Sequence, residues 1–225
     1  MPASVPPAPD VAPDVAPGIA PGVAEGVGTR AARSVPSALS RRIAAGHADA
    51  ERALHAARRA FLADHRVEMG ALAAELGVDR TSLFRWVGNR DALLAEVLWS
   101  LAAPTLDRAE AEATGAGPAR VVDILGRFVD GLVTAEYFRG FLQREPQRAL
   151  RLMTTSDSEI QARYTAAVEE LLAHHAPDAG GALARHDLAY LLVRISETFS
   201  YADLIAGEPP SAERARAAFA LVLGG

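Results

Sequence analysis

The sequence predicts an all-α chain, and three observations predict it. Apolar residues recur at helical spacing from about Asp49 onward, with Gly, Pro, Ser and Asp standing where helix ends and caps belong. No run alternates apolar and polar residues as a half-buried strand would. Half of the 225 residues are hydrophobic, enough for a sizeable core, and no cysteine is present to staple a small loop-rich fold.

From Met1 to about Gly28 the chain is mostly Pro, Ala, Val and Gly, with a loose repeat in VAPD, VAPG and IAPG. Proline every few residues breaks helices and denies strand donors, so a disordered, partly polyproline-like tail is expected. A secretory leader would need a basic start and an unbroken apolar stretch, and neither occurs. Arg30, Arg33, Arg41 and Arg42 follow, among Ser34, Pro36 and Ser37. Two readings stay open for them: an arm lying along a nucleic-acid backbone or in a minor groove, or a solvated linker.

A first helix is expected over about Asp49 to Asp64, burying Ala50, Leu54, Ala57 and Phe61. Met69, Leu72, Ala73 and Leu76, at i, i+3, i+4 and i+7, form the stripe of a short second helix. Gly77 ends it by tolerating the left-handed conformation, and Val78 can fold back over the corner. Asp79 then serves as N-cap of a third helix beginning at Arg80. At 100° per residue Leu83, Trp86 and Val87 point inward, leaving Arg80, Thr81, Phe84 and Arg85 along the opposite arc. Two guanidiniums, a hydroxyl and an aromatic ring suit phosphates, guanine edges and thymine methyls in a major groove. Ser82 is assigned to a phosphate as well. Gly88 and Asn89 close this helix, and Arg90 and Asp91 open a long one. A cation at a helix start opposes the helix dipole, so Arg90 is also assigned to a DNA phosphate.

At these residues the chain resembles the TetR family of one-component transcriptional regulators, whose DNA-binding segment runs alanine-rich helix, Gly-Val turn, short recognition helix and capped long helix. The resemblance covers about Ala48 to Leu101 without a gap. The family usually has tyrosine where Phe84 stands and lysine where Arg90 stands. Phe84 can pack or touch a methyl but cannot bond a phosphate, whereas arginine keeps the phosphate contact and can make it bidentate.

Beyond Leu101, Pro104 and the run Ala113 to Pro118 mark entry to a second region. Helices are expected at about 119–134, 135–144, 146–153, 157–175, 183–206 and 211–223, with Pro146 in a first turn and Ser156 or Asp157 as a cap. The run Leu188 to Pro209 is apolar nearly all round yet carries Arg194, Glu197 and Asp203, which argues burial in the body or against another subunit. With Phe141 to Thr155 it resembles the C-terminal ligand domain of the QsdR-type subgroup of TetR regulators. That resemblance implies a homodimer joined through the last two helical stretches, a palindromic double-stranded DNA operator, repression, and a small apolar organic effector. The expected effector site comprises Phe128, Phe138, Phe141, Tyr164 and Tyr201, with Arg194 or Glu197 orienting a polar group. Other readings stand beside these: Arg194, Glu197 and Tyr201 as an internal ion pair with a nearby tyrosine, and the aromatics as plain core.

The net charge of −5 divides unevenly. Residues 30–98 hold eleven arginines against eight acids, while residues 99–225 hold twelve against seventeen. A basic head on an acidic body confines phosphate attraction to the head. All 23 cations are arginine. His174 and His175 with Asp178 diverge around a helix and make a poor metal site, and no glycine-rich phosphate loop, nucleophile elbow or HExxH occurs. The expectation is therefore a cytoplasmic, ligand-responsive regulator, not an enzyme, with no metal, cofactor or membrane partner. The alternative is a helical small-molecule-binding protein or enzyme with a degenerate helix-turn-helix. Its expected layout is a tail and arm over 1–45, a three-helix DNA-binding domain over 46–101, and a ligand-binding and dimerisation domain over 102–225.

Overall fold

The computed structural model describes residues 36–156 and 158–224, and all regular structure among them is helical. The proline-rich tail, Arg30, Arg33 and Asp157 lie outside the described residues. None of the described helices is long and apolar enough to cross a membrane.

The described residues open with a helix, α1 (Ala38–Ala44), where an arm or a solvated linker was expected; it is started by Ser37, whose hydroxyl oxygen accepts the Ser40 amide. Next come α2 (Ala48–Leu62), α3 (Met69–Leu76) and α4 (Arg80–Val87). Ala50, Leu54, Ala57 and Phe61 are all buried on α2, as are Met69, Leu72 and Ala73 on α3. Gly77 takes φ 69°, a conformation costly for any side chain, and the Val78 amide reaches back to the Ala73 carbonyl.

The long helix α5 (Arg90–Glu112) is capped by Asn89 and runs straight through Pro104, where the sequence suggested an entry to a new region. A proline inside a helix costs about 3 kcal/mol. Burial of Ala103, Leu106 and Ala109 on the same stretch offsets it. Then follow α6 (Gly117–Thr134), α7 (Glu136–Arg144), α8 (Pro146–Thr154) and α9 (Ile160–His175). The start of α9 is later than expected, and its first amide, on Ile160, bonds the Ser158 hydroxyl. The helix expected over 183–206 is broken: α10 (Arg185–Ser200) is followed by the short α11 (Ala202–Ile205). Tyr201 leaves helical geometry to bury its ring, and Arg139 bonds the Ser200 carbonyl while pairing with Asp203. The last helix is α12 (Ala212–Leu223), capped by Ser211.

Two apolar cores result. One gathers α1 to α4 and the first turns of α5 (Leu93 to Leu98) together with Phe138, Phe141 and Leu142 of α7 and Leu152 and Met153 of α8. The other joins the rest of α5, from Trp99 onward, to α6, α9, α10 and α12. Helix α5 therefore belongs to both.

Candidate nucleic-acid interface and effector cavity

The outer arc of α4 is open to solvent. Arg80, Thr81 and Arg85 are exposed and Phe84 is 40% exposed, while Leu83 and Val87 are buried beneath. The helix is held at its start by Asp79, whose carboxylate accepts the Ser82 amide at 2.8 Å and the Ser82 hydroxyl at 2.8 Å. These two bonds hold the Asp79 carboxyl below its ordinary range. The Ser82 hydroxyl proton is thus already engaged within the protein.

Arg90 is placed differently from the expectation. Its guanidinium turns inward and makes a two-pronged pair with Glu145 at 2.7 and 2.6 Å, with Nε donating to the Val67 carbonyl at 2.5 Å. The Arg90 bonds hold the Glu145 carboxyl low. The compensation sought for a cation at the α5 start comes from the α7–α8 junction, a partner remote in sequence. Around it, Arg66 and Arg148 also reach Glu145, Arg148 and Arg151 pair with Asp91, and Arg144 pairs with Asp64. This belt ties the α7–α8 hairpin to the helices that carry the exposed arc. Glu145, Arg148 and Arg151 were not singled out in the sequence, and Asp91 was named only as opening α5. The charged run QREPQR at 143–148 was the available signal.

A cavity of about 60 Å³ lies at the seam of the two cores. Leu98, Phe138, Met153 and Tyr201 wall it from one core, and Trp99, Phe128 and Tyr164 from the other. Gly131 of α6 and Thr105 of α5 are also on its wall, and a Cβ at Gly131 would stand 2.9 Å from the Thr105 methyl. Tyr164 bonds Ser196 at 2.9 Å and Tyr201 donates to Met153 Sδ at 3.3 Å, so both hydroxyls are satisfied inside an apolar wall. Burial pushes both phenols well above their usual range.

The seven residues expected to meet an effector are therefore divided. Phe128, Phe138, Tyr164 and Tyr201 line the cavity. Phe141 instead packs against Phe61, ring centres 5.4 Å apart and planes tilted by 58°, in the first core. Arg194 is partly exposed and pairs with Glu197 at 2.6 Å, and neither belongs to the cavity wall. The amide of Gln161 donates to Glu197 at 2.6 Å. Glu197 is 5% exposed, and that burial pushes its carboxyl up to about 7 despite Arg194 and Gln161. Tyr201 closes α10, its amide still bonded to the Glu197 carbonyl, and its ring lines the cavity, whereas Arg194 and Glu197 pair with each other off that wall.

Residues 116–224 match the family model described as the tetracyclin repressor-like C-terminal domain. The solved structure of the R. erythropolis transcriptional repressor QsdR, from the TetR family, is 34% identical with a TM-score of 0.71, over 77% of this chain and 93% of that one. No curated protein matches.

Proposed function

Because this chain belongs to the TetR family of transcriptional regulators, we propose that it is a repressor that grips a palindromic operator as a homodimer and releases it when a small apolar molecule widens the seam cavity. The observation that carries this reading is the position of the cavity, whose walls come from both cores. Pockets for small organic ligands usually measure about 300–1,000 Å³. A cavity of about 60 Å³ is smaller than that, so an occupant must displace its walls. Phe138 and Met153 sit on the hairpin that the belt ties to Asp64, Asp91 and Arg90, so their displacement moves the reading head. An effector that favours the widened state shifts the population away from DNA, whereas equal affinity for both states shifts nothing.

On the DNA side, Arg80, Thr81 and Arg85 are assigned to base edges and phosphates, with Phe84 against a thymine methyl. Ser82 and Arg90 reach phosphates only by giving up the bonds to Asp79 and Glu145. Selection from random duplexes is expected to enrich an inverted repeat. Arg85→Ala should weaken binding to that site by about 1–3 kcal/mol and relax one base position, read by fluorescence anisotropy on matched and mismatched duplexes. Enrichment of no motif overturns the reading.

For the dimer, α10 and α12 lie side by side and present Tyr190, Leu191 and Leu221 to solvent, the last 82% exposed. Large apolar side chains on two adjoining helices fit a self-complementary two-fold contact. Leu191→Asp together with Leu221→Asp is expected to give a monomer in light scattering at micromolar concentration, with operator binding lost. A wild-type protein that stays monomeric with and without DNA contradicts the dimer.

A further inference from the structure

The short helix α1 touches the exposed helix α4 at one end and the neighbourhood of the cavity at the other. Helix α4 has eight residues and stops at Val87. The last carbonyls of any helix lack intrahelical donors, and a helix this short is marginal without tertiary support. Here the Gly88 amide takes the Phe84 carbonyl. The next two carbonyls, of Arg85 and Trp86, both accept from Arg42 Nη1 of α1, the Trp86 bond at 2.9 Å. A cation at this end also favours the helix dipole.

The other end of α1 is anchored on a buried ion pair. Ser40 donates to Glu96 at 2.6 Å and accepts from Arg163 at 2.9 Å, Ser37 donates to Glu96, and Arg163 bonds Glu96 at 3.1 Å. The Arg163 guanidinium lies over Trp99, 5.6 Å from the ring centre, and Trp99 is a wall of the seam cavity. Named contacts thus run from Trp99 through Arg163, Glu96 and Ser40 into α1, and from Arg42 to the end of α4.

We infer that Arg42 is a positioning residue of the reading helix, fixing the last turn of α4 from a strap, α1, whose other end is fastened beside the cavity. This rests on the DNA-binding reading above, but the cap is a property of the free protein and is testable without DNA. In Arg42→Ala, amide hydrogen exchange at Trp86, Val87 and Gly88 should quicken with no DNA present. Affinity for the duplex that the wild-type protein selects should fall roughly three- to tenfold. The slope of log affinity against log salt should stay as in wild type, because no phosphate contact is lost. Ser37→Ala with Ser40→Ala should quicken the same amides while leaving Arg42 in place, and adding Arg42→Ala should bring little more.

A salt slope reduced by about one with exchange unchanged makes Arg42 a phosphate contact and overturns the inference. Unchanged exchange in Arg42→Ala overturns the cap, and unchanged exchange in the serine variant overturns the strap. Should the wild-type protein select no duplex, the DNA reading fails, and hydrogen exchange alone still decides the cap.

Discussion

Arg163→Ala is expected to cost about 3–5 kcal/mol of folding stability. The guanidinium is 2% exposed and Glu96 8%, so removing the cation leaves a largely buried carboxylate with only the Ser37 and Ser40 hydroxyls to offset its charge. The loss extends beyond the pair, since Ser40 and the Trp99 ring both contact the same guanidinium. Replacing both partners, Arg163→Met with Glu96→Leu, should destabilise far less than either single change, because two apolar groups leave no uncompensated charge. Urea midpoints at one fixed protein concentration compare the variants, because the proposed dimer would make apparent stability concentration-dependent. A single variant within 1 kcal/mol of wild type would mean that solvent reaches Glu96.

Glu197→Gln is expected to raise stability in a pH-dependent way. The carboxyl has a folded pKa of about 7 against an ordinary 4.5, so the folded chain holds the proton more tightly than the unfolded one. Below about pH 4.5 both forms are protonated and the site favours folding fully. As pH rises from there through 7, the buried group ionises at a cost, and that stability is lost. A shift of this size corresponds to about 3 kcal/mol. Glutamine carries no charge to bury and keeps an oxygen for Gln161. It gives up only the contact with Arg194, whose side chain is 42% exposed and so contributes little. The stability difference between variant and wild type should therefore grow across pH 4.5 to 8 and then level off. Differential scanning calorimetry across that range tests it, and a flat difference would show that Glu197 titrates alike in the folded and unfolded chain.

What was legible in the sequence was what local physics determines. The Gly77 turn, the Asp79 cap and the inward side of α4 each follow from a few neighbouring residues, and each is found. Helix α1 escaped because its support is remote: Ser37 and Ser40 are ordinary polar residues until Glu96 and Arg163 are brought against them. Glu96 standing among Leu93, Leu94, Val97 and Leu98 was the clue, since a carboxylate in an apolar stripe needs a buried partner. The orientation of Arg90 was likewise hidden, because a cation at a helix start can be balanced by a ligand or by a distant acid, and sequence spacing does not choose. For the cavity, the expected aromatics include the wall residues Phe128, Phe138, Tyr164 and Tyr201 but leave out Trp99 and Tyr137. Periodicity could not show that, of Arg194, Glu197 and Tyr201, only Tyr201 meets the cavity.

The α7–α8 hairpin completes the first core with Phe138, Phe141, Leu142, Leu152 and Met153, packing Phe141 against Phe61 of α2. The unit of inheritance is accordingly not a contiguous stretch of chain. A chimera that joins residues 46–101 to the body of another regulator would leave Phe61 and its neighbours facing a foreign hairpin, with Asp64, Asp91 and Arg90 missing their counter-ions. Transplanting a working reading head therefore means carrying 136–154 with it. Gene recombination, natural or engineered, would have to exchange two separated segments at once, which ties the evolution of operator choice to that of the hairpin beneath the cavity.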